Sequence, residues 1–436
     1  MAYPHSKPNT YSPIKKIKNK DFILQTSSAS NNENQTTSPE SANEFDSTSA
    51  IFAAIILGFA GTGVARGLPL LIGSMANSLG FNEQQLGWLA SSDMGGLFIG
   101  SVLASLFVVK FNRRYLAGCG LILVILGNYH STQNVELLPL MMSRLIAGVG
   151  AGICYSTCTA SLAGSHNSAR TFSILLFVLV VMNAFIFYIF PIIDDKWGVN
   201  GLFMFYLLEA IPILLILPLL PQYCAEDRDE QAPTKATADS AAHLSIPEIL
   251  PRLCLVAVFS FYLLVGAYWA FIERAGVAAD LSGQFISQTL TWGQIFSLTG
   301  TLLALWLARR FGQSKPLLFA LLVMIITMLT LAFRVNSATF IFSVFSFSFF
   351  WIFIDVFQLG TLSNIDHSGR YAALVPACQG AAQAIAPTMA GVLLSYQLGY
   401  STVMIMCALA SATALYIYLY VYRQLLQIAP NVADSD

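Results

Sequence analysis

Apolar runs long enough to cross a bilayer recur through most of the chain, and they leave little choice of fold. They cover residues 51–76, 85–109, 115–134, 137–163, 171–193 and 200–222, then 251–274, 284–308, 316–333, 338–361, 371–396 and 401–422. Each has about 19 to 27 residues, and about 20 cross a hydrocarbon core of roughly 30 Å as a helix. Inside that core the backbone must satisfy its own hydrogen bonds, which at this run length means helices. The third run is the weakest, because Asn128, His130 and Gln133 make its far end polar. Only 10% of the 436 residues are charged and 56% are hydrophobic. A soluble domain is closer to about a quarter charged. The reading is an all-α integral membrane protein with twelve transmembrane helices.

One polar stretch, Tyr223 to Leu250, interrupts the runs. It is acidic, rich in Ala and Thr, and broken by proline. Such a segment buries too little apolar surface to offset its ordering entropy, so it reads as a solvated linker over 223–250. It separates two hydrophobic blocks of equal length, 51–222 and 251–422. Residues 1–50 are rich in Ser, Asn, Thr and Pro and carry Lys15, Lys16, Lys18 and Lys20; they read as a disordered tail. Residues 423–436 read as a second, short tail. The polar start does not resemble a signal peptide.

Basic residues set the orientation. With the N-terminus inside, the cytoplasmic connections hold Lys110, Arg113, Arg114, Arg170, Arg228, Lys235, Arg252, Arg309, Arg310, Lys315, Arg370 and Arg423. The outside holds Lys196, Arg274 and Arg334. The positive-inside rule then places both termini in the cytoplasm. The short outer loops and compact linker suggest a bacterial inner membrane.

The two blocks also echo each other at an offset of 200. Lys110-Phe-Asn-Arg113 matches Arg310-Phe-Gly-Gln313, and Ser168-Ala-Arg170 matches Ser368-Gly-Arg370, each in the equivalent connection. Gly198 matches Gly399 at 201. Agreement at one spacing argues for a duplicated six-helix unit, hence two pseudo-symmetric bundles related by an axis along the membrane normal.

Several classes fall away. A net charge of −1 gives nucleic acid nothing to bind. The seven Cys show no CxxC and no disulfide spacing. Cys154 and Cys158 share a helix face but read as small buried thiols. None of the five His lies mid-span, and no nucleotide-binding loop or nucleophile–base set is present. Neither a cofactor nor a metal is expected, and the chain does not read as an enzyme.

Residues Arg144-Leu-Ile-Ala-Gly148-Val-Gly150-Ala-Gly152 in the fourth span resemble a signature of the major facilitator superfamily. The resemblance covers about residues 51 to 422. The family's basic motif after the second span is degraded here. Lys110-Phe-Asn112-Arg113-Arg114 keeps the basic end, but Val109 stands in place of the acid and Asn112 in place of glycine. The second copy, Ala308-Arg309-Arg310-Phe311-Gly312, also lacks the acid. Lys110, Arg113, Arg114, Arg309 and Arg310 are thus the expected cytoplasmic gate, working without its usual charge relay. Gly380 to Gly391, with Pro387 between, resembles the family's flexible eleventh helix. The Gly/Pro-rich fifth span of its antiporters is absent. The resemblance implies that spans 1, 2, 4, 5, 7, 8, 10 and 11 line a central cavity and the rest are scaffold.

Ionisable groups inside a membrane are costly and point to function. Arg66, Asp93 and Arg144 each lie about eight residues in from the outer ends of spans one, two and four, roughly 11–12 Å deep. At one depth on three implied cavity helices, they form a candidate site. An arginine without a permanent partner grips a carboxylate with its planar fork. Arg66 and Arg144 are expected to bind substrate, and Asp93 to couple protons or gate. The competing reading is a structural Arg–Asp pair. Asp355 in span ten has no basic neighbour in sequence. Since burial disfavours an unpaired charge, it is the second expected proton carrier. Glu209, in a scaffold span, reads as a helix-packing group. Trp269, Trp292, Gln294, Gln379 and Gln383 complete the expected substrate wall.

The resulting expectation is a secondary transporter of a small organic anion, coupled to protons and working by alternating access. Its partners are the solute, protons and the lipid bilayer, and it acts as a monomer. Proton-driven efflux of drugs or amphipathic metabolites is the alternative. A membrane receptor or scaffold that moves nothing is the rival from another class.

Overall fold

The structure is a computed structural model that describes residues 44–108, 111–165, 167–222, 247–366, 371 and 374–428. The expected linker lies outside these residues except for 247–250. Among them are twelve helices: α1 (Thr48–Leu79), α2 (Glu83–Phe107), α3 (Arg113–Gln133), α4 (Leu137–Ala163), α5 (168–197) and α6 (199–216). Then follow α7 (Ile249–Val277), α8 (Gly283–Phe311), α9 (Ser314–Phe333), α10 (Ser337–Ile365), α11 (Val375–Ser395) and α12 (Gly399–Ile428). The tails are shorter than expected. Glu44–Asp46 already forms a helical turn, with Phe45 buried. The guanidinium of Arg113 lies 4.8 Å from the Phe45 ring centre, which anchors the turn. At the other end α12 runs on to Ile428, well into the expected second tail.

Helix ends follow local chemistry. Ser47 caps α1 by accepting from the Ala50 amide at 3.2 Å. Asn82 and Gln85 form a reciprocal capping box at the start of α2, as Asn336 and Thr339 do for α10. α5 and α6 form one helical stretch broken at Gly198, whose φ of 58° lies in the left-handed region. Gly399, at the start of α12, has φ 72°. The glycine match at 201 therefore marks a positive φ before the last helix of each half, which side-chain-bearing residues rarely adopt.

Within the first half, α4 packs on α1, α2 and α3; within the second, α10 packs on α7, α8 and α9. The α2–α4 contact is backbone on backbone. A Cβ on Gly100 would overlap the Val149 carbonyl, and one on Gly152 the Leu97 carbonyl. Small residues let helices approach this closely where lipid gives no hydrophobic drive to associate.

Eight helical stretches are long and apolar enough to cross a membrane, one of them running through both α5 and α6. α3, α8 and α11 fall short individually. Their polar side chains are instead turned to protein. Asn128 of α3 meets Arg144. Gln294 of α8 accepts from Asn183 at 3.0 Å. Thr388 of α11 meets Ser91, 2.8 Å away. The polar end of the third span was expected; the polarity of α8 and α11 arises because both lie on the seam between halves.

That seam is made by α1 with α7, α2 with α11, and α5 with α8. We call the face bearing the α1–α2, α7–α8 and α11–α12 connections the distal face, and the opposite one the terminal face. Near the distal face, Gly87 of α2 sits on the Pro387 carbonyl and on Gly391 of α11. The Trp269 indole of α7 donates to the Ala65 carbonyl of α1 at 2.9 Å. The Ser287 hydroxyl of α8 donates to the Phe187 carbonyl of α5.

Filling the α2–α4 contact should be poorly tolerated. Gly152→Val is expected to cost about 1–3 kcal/mol or more, whereas Gly283→Ala, which meets nothing within 4 Å, should be neutral. Thermal unfolding of the purified variants in one detergent checks the contrast.

Candidate functional site

The charged groups expected to line a cavity in the first half face its scaffold instead. Arg66 rises from α1 toward α6, where its Nη2 lies 3.0 Å from Glu209 Oε1 and donates to the Phe59 carbonyl at 2.7 Å. Arg144 leaves α4 toward α3 and α6. It donates to Asn128 at 2.9 Å, lies 4.8 Å from the Phe203 ring centre, and has its Nε 3.7 Å from Asp93 Oδ1. Arg144 and Asp93 are both 0% exposed. Neither Asp93 oxygen has a hydrogen-bond partner.

The anion site was expected to hold arginines without a permanent partner; in this structure each lies beside a carboxylate. Counting Glu209, the two buried cations face two buried carboxylates, so the surplus positive charge vanishes. The physical reason is the cost of an isolated ion in hydrocarbon, which α6 offsets by supplying Glu209 and the Phe203 ring. Asp93, sealed beside Arg144, is placed as its counter-ion.

Two other residues of the expected substrate wall are elsewhere. Trp292 is 61% exposed, on a stripe of α8 that continues through Ile295, Phe296, Leu302 and Trp306. This is the lipid-facing side. Gln294 is buried on the α5–α8 seam, held by Asn183. The half-buried Gln379 and Gln383 lie on α11 facing the same interior as α7, where the Gln383 backbone closes on Gly266. Trp269 is buried at the seam, 5.7 Å from Phe187 and stacked 5.8 Å from Phe347.

The expected gate residues are not brought together as one cluster. Lys110 lies outside the described residues, as does the Arg309 side chain. Arg113 covers Phe45, and Arg114 donates to the Leu220 carbonyl at 2.6 Å, both within the first half. Arg310 lies over the Trp306 and Phe311 rings of its own helix.

The second half holds a polar cluster of a different kind. Asp355 of α10 accepts from the Tyr262 hydroxyl of α7 at 2.6 Å, and the Trp351 indole donates to that same hydroxyl at 3.3 Å. Asp355 is partly exposed, but its Oδ1 is buried without a partner. Both polar atoms of the Gln358 side chain, one turn further along α10, are likewise buried and unmatched. No basic group lies within 4.0 Å of Asp355 among the described residues. The aromatic wall continues through Trp351, Phe347 and Trp269, with ring centres 5.5 to 6.1 Å apart. Tyr262 carried no signal in sequence, because a tyrosine in an apolar run gives no hint of which helix it faces.

A second missed group closes the distal seam. Arg274, which the sequence shows only as one of the outside cations, reaches across the halves. It lies 3.7 Å from Glu83 of α2 and donates to Asn77 of α1 at 3.4 Å. Tyr400 of α12 donates to the same Glu83 at 3.0 Å. Arg274 thus joins four helices of two halves.

The chain belongs to the Major Facilitator Superfamily, which it matches over residues 50–365. The family is one of transporters rather than enzymes, and this chain is an integral membrane transporter. No curated protein is matched by its sequence. Among solved structures it resembles the nucleoside transporter NupG, at 13% identity and a TM-score of 0.66, over 86% of this chain and 99% of that one. It resembles a D-xylose–proton symporter at 16% identity and 0.64, over 89% and 98%. A bacterial homologue of the human lysosomal transporter Spinster, in an inward-facing conformation, gives 12% identity and 0.65, over 87% and 97%. At these identities the likeness is one of fold.

The Arg66–Glu209 pair gives a direct test. Arg66→Met or Glu209→Leu alone leaves its partner's charge unpaired and should cost about 3–5 kcal/mol. Arg66→Met combined with Glu209→Leu should recover most of that loss. Thermal unfolding of the four proteins as a double-mutant cycle measures the coupling.

Proposed function

We propose that this transporter moves a small, uncharged, polar organic solute together with protons, and that Asp355 is the proton carrier. The observation that carries the reading is the Asp355–Tyr262 contact. It is a carboxyl with one oxygen engaged by a phenol, the other unmatched, and no cation beside it. A group so placed can hold a proton, and release of that proton changes the charge of the site. Gln358 and Gln383 offer amide donors and acceptors, and Trp351 and Trp269 offer apolar faces. Sugars and nucleosides bind through this mixture of hydrogen bonds and flat contacts, and two of the relatives in fold carry such solutes by name. A small organic anion, the solute expected from two unpaired arginines, loses its support because both arginines are paired.

In this reading the two bundles, 51–222 and 251–422, rock about a site at mid-membrane. The terminal face is cytoplasmic by its basic residues, and the membrane is a bacterial inner membrane. The chain works as a monomer. The contacts near the distal face, namely Arg274–Glu83, Trp269–Ala65 and Ser287–Phe187, then close the outer side. They correspond to an inward-facing arrangement, and breaking them accompanies outward opening.

Two measurements test this. A thermal-shift screen of nucleosides, sugars, organic cations and carboxylates should yield uncharged polar hits. Carboxylate stabilisation that disappears in Arg66→Gln would restore the anion reading, and organic-cation hits lost in Asp355→Asn would favour efflux of amphipathic cations. With a hit in hand, Asp355→Asn in proteoliposomes should abolish uphill accumulation driven by a pH gradient yet keep solute exchange. Undiminished accumulation would remove Asp355 from the coupling step. Absence of any flux in the wild type would leave a receptor or scaffold.

Outer closure predicts a further effect. Arg274→Gln should raise the reaction rate of a cysteine placed at Ser287, buried at the α5–α8 seam, with an impermeant thiol reagent by several-fold, because the seam opens more often. An unchanged rate would show that Arg274 does not hold it.

A further inference from the structure

At the distal end of the seam, a cavity of about 310 Å³ opens between α1, α5, α6, α7 and α8. One end of it is acidic. Asp194 of α5 and Glu273 of α7 face it, with Ser74 and Asn77 of α1. Glu273 is only 7% exposed, and its Oε2 has no hydrogen-bond partner. Asp194 accepts the Ser74 hydroxyl. Among the described residues no basic group lies within 4.0 Å of either carboxylate. The cations close by in sequence are otherwise engaged: Arg274 with Glu83 and Asn77, and Lys196 above the Trp197 ring. The other end of the cavity is apolar, with Leu70, Phe190 and Ile286.

We propose that this cavity is a second binding site, separate from the Asp355 cluster, for small organic ammonium cations. Two carboxylates facing one pocket without a paired base, one buried and one half-buried, favour a positive partner there. The room corresponds to roughly ten water molecules at about 30 Å³ each. A bare metal ion needs oxygen ligands on all sides at about 2.0–2.6 Å, and the apolar wall supplies none. An ammonium head between Asp194 and Glu273, with a short body against Leu70 and Ile286, satisfies both ends.

Both halves build the site. The Glu273 carboxylate of α7 rests on Gly73 of α1, where any Cβ would overlap it. The cavity therefore exists as described only while the distal seam is closed. A cation bound there stabilises that closed arrangement in proportion to its differential affinity. The site is thus a brake on outward opening that responds to amines at the distal face.

The test is a titration of the full-length protein in detergent with benzylammonium chloride, read as melting temperature. The controls are sodium chloride at equal ionic strength and benzyl alcohol, the uncharged analogue. The expected result is a saturable rise of at least about 2 °C with benzylammonium alone. It should be lost in Glu273→Gln and in Asp194→Asn, and kept in Asp355→Asn. Equal rises with sodium chloride or benzyl alcohol, or no rise, would overturn the proposal. So would a rise that survives both cavity variants, or one that vanishes in Asp355→Asn, which would move the cation to the central site. If the cavity variants fail to fold, the wild-type comparison of the three additives still decides.

Discussion

Charge taken into hydrocarbon has to be matched from within the protein, and that demand organises the first half. Arg66 and Arg144 stand on different helices, yet both turn toward α6. There Glu209 answers one at 3.0 Å and the Phe203 ring lies over the other. α1, α3, α4 and α6 are thereby fixed in rotation as well as position. The close glycine contact of α2 on α4 carries the same constraint to the helix that bears Asp93. Among the described residues the second half has no equivalent buried ion pair. Its core between α7, α8 and α10 is a run of rings, Trp269, Phe347, Trp351, Phe349 and Phe353, whose contacts have no single required angle.

Most of the fold was legible because it is written along the chain. Run length gives the helices. The offset of 200 gives the duplication, and its most concrete element, Gly198 with Gly399, proves to be a pair of positive-φ positions. The site was legible only in part, and the division is geometric. Counting residues gives the depth of a group along its own helix. It does not give the direction in which each leaves its helix, and that direction decides whether it meets a cavity or a scaffold. For Trp292 the direction was in fact available. Ile295, Phe296, Leu302 and Trp306 share its stripe, and a largely apolar exposed stripe on a membrane helix points to lipid. For Arg66 it was not, because its partner lies 143 residues away.

The seam shows how both halves can meet and still part. Its hydrogen bonds are few, and several end on backbone carbonyls, at Ala65 and Phe187, that are already within helices. Such bonds can be broken without stranding a charge in lipid. Its one ion pair among the described residues, Arg274 with Glu83, is placed at the distal end, where side-chain exposures of 18% and 32% let water take over each partner. The fully enclosed Arg144–Asp93 pair lies inside a single half, where no rocking motion needs to separate it. The distribution of charge therefore follows the line along which the molecule divides.

The two positive-φ glycines carry one more consequence. Nothing lies within 4 Å of where a Cβ on Gly399 would stand, whereas at Gly198 the Ser78 hydroxyl would be 3.2 Å away. Size is therefore not what selects glycine at the start of α12. The mirror-image form of alanine would sit there without strain, since its Cβ suits the backbone angle that an L-residue resists. Glycine holds that position because, among the encoded residues, it alone has no handedness.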